Sequence, residues 1–149
     1  MAKQLQVRRG TTMANNLFTG AEGEITMDTE TKGLRIHDGS KAGGFRVPTL
    51  VAVQYPSAAN NYIWYRKYSD GWVEQGGVGV LSLTVTLPVT MSDANYTITT
   101  ACDNYSPNAG TPVAVYYDKT ATGFTLQGRW NGNAQGGMSV SWEVKGLAA

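Results

Sequence analysis

Between residues 81 and 87 the chain alternates without a break. Leu81, Leu83, Val85 and Leu87 fall on one side of an extended backbone, and Ser82, Thr84 and Thr86 on the other. A period of two is strand geometry; a helix would scatter those leucines around its surface. Pro88 ends the run. The signature returns downstream. Tyr96, Ile98 and Thr100 oppose Asn95, Thr97 and Thr99; Phe124, Leu126 and Trp130 side with Gly128; Val140, Trp142 and Val144 alternate with Ser139, Ser141 and Glu143. Val113–Tyr117 adds a further run. Such short, evenly spaced strands from Tyr62 onward imply a β-sandwich or small barrel. Trp64, Trp72, Phe124 and Trp142 sit in these strands and are expected in its core. Asp70-Gly71 reads as a two-residue hairpin turn joining Tyr65–Tyr68 to Trp72–Gln75, because glycine reaches positive φ without steric cost. Polar connections are expected at 103–112, 118–123 and 131–137.

The first forty-odd residues are patterned differently. Gln4–Arg8 alternates weakly, with Leu5 and Val7 on one side. Thr12–Phe18 suits a single helical turn. Ile25 and Met27 lead into the turn cluster Thr29–Gly33, and Leu34 and Ile36 lead out, a β-hairpin closed by Asp38-Gly39. A unit this small has too few large apolar side chains to close a core alone. Chains of that size need metals, disulfides or partner chains. The single cysteine, Cys102, excludes an intramolecular disulfide, and reads as a small buried hydrophobe. Partner copies are the remaining answer. Gly43 to Asn61, with Pro48 and Pro56, reads as an extended neck.

Several functions are disfavoured. Net charge is +1 and no cationic cluster exceeds Arg8-Arg9, so nucleic acid finds no basic stripe. No apolar run is long enough to span a membrane, and residues 1–10 lack the apolar stretch of a signal peptide. A glycosidase needs two carboxyls roughly 5–10 Å apart, whereas Asp70, Glu74 and Asp103 read as turn, strand and loop residues. No nucleophile-elbow or phosphate-loop string occurs. The lone histidine, His37, reads as a ring packed beside the Asp38-Gly39 turn; it offers one ligand per chain, and only on a threefold axis could three copies hold a metal ion. No cofactor is otherwise implied. Charged residues are only 15% of the chain, against roughly 25% in ordinary soluble domains. Surfaces rich in amides and hydroxyls suit neutral sugars, and equally suit a turn-rich β protein. Tyr105 with Asn104 and Asn108, and Trp130 with Arg129, Asn131, Asn133 and Gln135, place an aromatic for stacking beside amides for hydroxyl groups; a loop closed by its own aromatic accounts for the pattern equally well.

Two sets of strings resemble known families. Ser69-Asp-Gly-Trp-Val-Glu-Gln-Gly-Gly77 and Ser141-Trp-Glu-Val-Lys-Gly146 resemble the C-terminal tip domains of bacteriophage tail fibres. Val7-Arg-Arg-Gly-Thr-Thr12, Phe18–Ile25, Asp28–Lys32 and Leu34–Gly39 look like the short module that begins phage tail-fibre and tropism-determinant proteins, covering residues 4–44. The resemblance implies an all-β protein: a trimerising β-hairpin or β-prism module (1–45), a neck (46–61) and a β-sandwich tip domain (62–149). It implies a homotrimer, with Leu5, Val7, Phe18, Ile25, Met27, Leu34 and Ile36 as candidate interface residues. It implies a virion protein made in the bacterial cytoplasm, joined to other virion structural proteins through the N-terminal module. The expected function is non-catalytic adhesion to a host surface glycan through Asn104, Tyr105, Asn108, Arg129, Trp130, Asn131, Asn133 and Gln135. A head fibre or capsid decoration, and a glycan depolymerase, are the alternatives.

Overall fold

The computed structural model describes residues 7–80, 83–102, 113–130, 133–135 and 139–149, the side chains of Val80, Trp130, Ala134 and Gln135 excepted. The chain is all-β, with one short α-helix. It divides into two compact units: one reaches to Val51 and includes Tyr68–Asp70, the other comprises Ala52–Lys67 and Gly71–Ala149.

The N-terminal unit is a four-stranded sheet of β1 (Arg8–Gly10), β2 (Ile25–Asp28), β3 (Leu34–Ile36) and β4 (Phe45–Val47), in that order. β1 and β2 run parallel; the other pairs are antiparallel. Between β1 and β2 lies α1 (Thr12–Leu17), six residues long. It starts where Thr11 accepts the Ala14 N–H at 3.2 Å, a side-chain cap for an otherwise orphaned donor.

The second unit is a sandwich. One sheet runs β5 (Leu50–Gln54, its first two residues counted with the first unit), β6 (Trp64–Tyr68, its last residue likewise), β7 (Trp72–Val80), β13 (Ser139–Leu147), β9 (Thr97–Cys102). The other pairs β10 (Val113–Thr120), β11 (Gly123–Trp130) and β12 (Asn133–Gln135), with β8 (Thr84–Thr86) also on β11. Val85, Leu87, Met91, Tyr96, Phe124, Leu126, Val140, Trp142 and Val144 form the core between them. Edge-to-face rings tie its centre: Phe124 meets Trp142 at 5.7 Å and Tyr116 at 6.3 Å. β7 and β13 pair along nine residues, from Val80↔Ser139 to Trp72↔Leu147. The two strings that flagged the sandwich in the sequence are therefore hydrogen-bonded neighbours.

Several expectations are corrected. The β6–β7 connection has three residues, Ser69-Asp70-Gly71, with Gly71 at φ +89°, the geometry of a turn closed by a glycine bulge. Among the described residues of the run at 81–87, the regular strand is Thr84–Thr86; Val85 and Leu87 are buried, while Leu83 is 42% exposed. Phe124 and Trp142 are core, but Trp64 and Trp72 are not. Val73 and Gln75 face inward, so Trp72 takes the opposite face. The expected neck holds the end of β4, all of β5 and a 3-10 turn at Ala58–Asn60. Both prolines lie just outside those strands, where no ladder donor is missed.

Candidate functional site

The N-terminal sheet has one apolar face and one polar face, and it is the polar face that is buried. Register places Ile25, Ile36 and Phe45 in one row and Met27, Leu34 and Val47 in the next. Residues directly opposite on antiparallel strands share a face, so these six make a continuous apolar patch. Ile25, Ile36 and Phe45 are 43%, 45% and 51% exposed.

On the other side Thr26, Asp28, Arg35 and His37 are buried, together with Asn15 of α1. The chain satisfies them closely. Asn15 Nδ2 donates to the carbonyls of Gly10 (2.9 Å), Thr11 (3.0 Å) and Met27 (3.3 Å). Arg35 donates to Asp28 Oδ2 (3.1 Å), Asn16 Oδ1 (2.8 Å) and the Gly43 carbonyl (3.2 Å). Asp28 Oδ1 accepts from the Thr12 hydroxyl (3.0 Å) and the N–H groups of Glu30 and Thr31 (3.1 Å each). Burial pushes the Asp28 carboxyl up. The bonds from Thr31, Thr12, Arg35 and Glu30 more than offset this and hold it at about 2. This network replaces the missing hydrophobic core and fixes the sheet so that its apolar side faces outward.

His37 belongs to the network. Its Nδ1 accepts the Gly20 N–H at 3.2 Å, so the ring proton sits on Nε2, which donates to Thr26 Oγ1 at 3.1 Å. Both nitrogens are engaged inside the chain, so neither is left for an axial metal ion. Among the described residues no group of three or more His, Cys, Asp or Glu side chains could hold one.

Of the expected interface residues, Ile25, Met27, Leu34 and Ile36 lie on the apolar face. Val7 is exposed beside the start of β1, and Leu5 lies outside the described residues. Phe18 is placed elsewhere, edge-on to His37 at 5.2 Å with the Arg8 guanidinium 4.1 Å above its ring. Phe45 and Val47 were missed. Their alternation around Arg46, after the Gly43-Gly44 break, was the available signal.

The expected glycan residues are only partly described. Asn104, Tyr105, Asn108 and Asn131 lie outside the described residues. Arg129 and Asn133 are exposed, and Trp130 and Gln135 are placed by backbone alone. Asn133–Gln135 is strand rather than loop: Trp130 pairs with Asn133, and Gly128 with Gln135.

Residues 5–41 match the family model of the Major tropism determinant N-terminal domain. The N-terminal unit resembles that domain. A tail fiber receptor-binding protein of Bordetella phage BPP-1 is 49% identical over 45 residues, 30% of this chain and 12% of that protein. The expected resemblance to phage tail-fibre and receptor-binding proteins therefore holds across this module, while the chain spans about an eighth of that relative's length. Among solved structures, the U1 and M1 variants of the Major Tropism Determinant align over 89% of this chain and 42% of theirs, at 20% and 23% identity, each with a TM-score of 0.31. Scores that low do not establish a shared arrangement. The family-model match thus covers β1, β2 and β3 of this sheet. No helix among the described residues is long and apolar enough to cross a membrane.

Proposed function

We propose that this chain is a phage virion component that attaches the particle to its bacterial host: a homotrimeric, non-catalytic adhesin. The N-terminal unit holds the three chains together and mounts them on other virion structural proteins; the sandwich meets a host surface glycan. The observation that carries this reading is the 49% identity of the N-terminal module to a tail fiber receptor-binding protein. The apolar face supports the assembly. Six clustered apolar side chains, three of them half exposed, resemble an interaction surface more than a solvated one. Each half-exposed side chain would gain on the order of 1 kcal/mol on burial by a neighbouring copy. Threefold symmetry itself comes from the resemblance.

Sedimentation equilibrium of the full chain is expected to give three times 16.0 kDa, and Ile36→Asp is expected to give monomers. A parent that is monomeric at micromolar concentration removes the assembly reading. Fluorescently labelled parent protein, screened against a panel of bacterial strains, is expected to bind at least one; binding to none removes the adhesin reading.

A further inference from the structure

The outer face of the five-stranded sheet carries two aromatics that the core does not use. Trp64 on β6 registers with Gly76 on β7, and its indole lies directly over that glycine. A Cβ at Gly76 would meet Trp64 Cε2 and Cζ2 at 2.8 Å. Glycine thus leaves the space that the ring occupies. Trp72 stands on the same face four residues along β7 and is 40% exposed. At the rise of a strand the two positions are about 14 Å apart.

A cleft adjoins each ring. The first, about 290 Å³, has Trp64 with Tyr55, Gln54, Arg66, Glu74 and Glu143 on its walls. The second, about 350 Å³, has Trp72 with Asp93, Asn95, Thr97, Lys145 and Leu147. Both are near the lower end of small-molecule sites, roughly 300 Å³. The ground between the rings is charged but balanced: Arg66 lies opposite Glu74 across β6–β7, and Lys145 pairs with Glu143 at 3.2 Å. Interleaved opposite charges create no net field for a polyanion or polycation. Charged residues are also depleted at the cores of protein–protein interfaces, so this face is poorly made for a protein partner. Flat aromatic surfaces, with carboxylate, guanidinium, ammonium and amide groups between them, match what a sugar chain offers: apolar ring faces and hydroxyl groups.

Resting on the adhesin reading above, we propose that this sheet face is the carbohydrate site. It takes an extended, uncharged oligosaccharide that stacks on Trp64 and Trp72 and bonds its hydroxyls to Arg66, Glu74, Glu143 and Lys145. The track is too long for a single sugar ring, so affinity should grow with chain length until both rings are covered.

The test uses the full chain on a printed array of bacterial lipopolysaccharide and capsular oligosaccharides, with cell binding measured in parallel. The parent is expected to retain at least one uncharged oligosaccharide. Trp72→Ala and Arg66→Ala should each weaken it tenfold or more, with unchanged thermal unfolding. Trp64→Ala should do the same, and Tyr105→Ala should not. Retention should survive high salt. A parent that binds cells but no arrayed glycan overturns this site and leaves the adhesin reading standing. Glycan binding unchanged in Trp72→Ala and Arg66→Ala overturns it too. Trimers that dissociate in Trp72→Ala and Arg66→Ala would show that a second copy covers the face, which also overturns it. A parent that binds neither cells nor glycans removes both readings.

Discussion

Replacing Asp28 by asparagine isolates the buried charge that organises the N-terminal unit. The amide can keep the three bonds made by Oδ1, to Thr12, Glu30 and Thr31. Its Nδ2 must then take the place of Oδ2, donor against donor, 3.1 Å from Arg35 Nη2. Arg35 is left charged, with a side chain 3% exposed and no counter-ion. Removing one partner of a buried pair costs about 3–5 kcal/mol, a large share of what so small a unit can have in total. Acid should act on the same group. The folded-state pKa is about 2, below the ordinary 3.8. The carboxylate's contribution is therefore complete above the unfolded value and is lost as pH falls from about 5 through 2. The difference corresponds to about 2 kcal/mol. It is smaller than the substitution cost because acid introduces no facing amide. The assay is urea unfolding at fixed protein concentration, followed by the NMR signals of His37, the only histidine and a member of the same network. The parent midpoint should drop between pH 5 and 2, and Asp28→Asn should have a lower midpoint at pH 7 and a flatter acid response. An unchanged midpoint, or an acid response as steep as the parent's, would refute the claim that this pair holds the sheet.

Two further outcomes concern the sandwich. Gln75 is fully buried, accepting the Val89 N–H and donating to the Val89 carbonyl, both at 2.9 Å; Gln75→Leu should cost about 1–3 kcal/mol in thermal or denaturant unfolding, since both backbone groups lose their partner. Tyr96 donates its hydroxyl to the carbonyls of Thr120 and Gly123, and burial pushes it up to about 12. Its stabilisation is complete below pH 10 and lost as pH rises toward 12, so in alkaline unfolding curves Tyr96→Phe should lack that part of the loss, while ultraviolet titration of the parent should show a late-titrating component that Tyr96→Phe lacks.

The strands of the sandwich were legible because alternation is a one-dimensional signal. Val140, Trp142 and Val144 had to share a side, and they do. What alternation cannot give is which side faces inward when both carry large residues. Trp64 and Trp72 were assigned to the core because they sit in alternating strands, yet Val73 and Gln75 hold that face, and a buried glutamine is invisible until Val89 is seen beside it. The N-terminal unit misled in another way. Ile25, Met27, Leu34 and Ile36 were correctly placed on one side, but the buried side is Thr26, Asp28, Arg35 and His37. Polar residues bury only as a satisfied network, and its members come from α1, β2, β3 and the turn at Gly43, with no local spacing to announce them.

The pairing of β7 with β13 also sets a timetable. Trp72 and Leu147 are hydrogen-bonded neighbours although 75 positions separate them in the chain, and β13 lies between β7 and β9 in the sheet. The centre of that sheet therefore remains open until the ribosome has delivered residues 139–147. Contacts of that span make folding slow, on the order of milliseconds to seconds. β2, β3 and β4 follow one another closely and can close much earlier. A nascent chain would thus carry a finished N-terminal sheet while its five-stranded sheet is still two unjoined halves, with the apolar row of Ile25, Ile36 and Phe45 already displayed. Refolding experiments should show His37 becoming protected before the tryptophan signal of the sandwich settles.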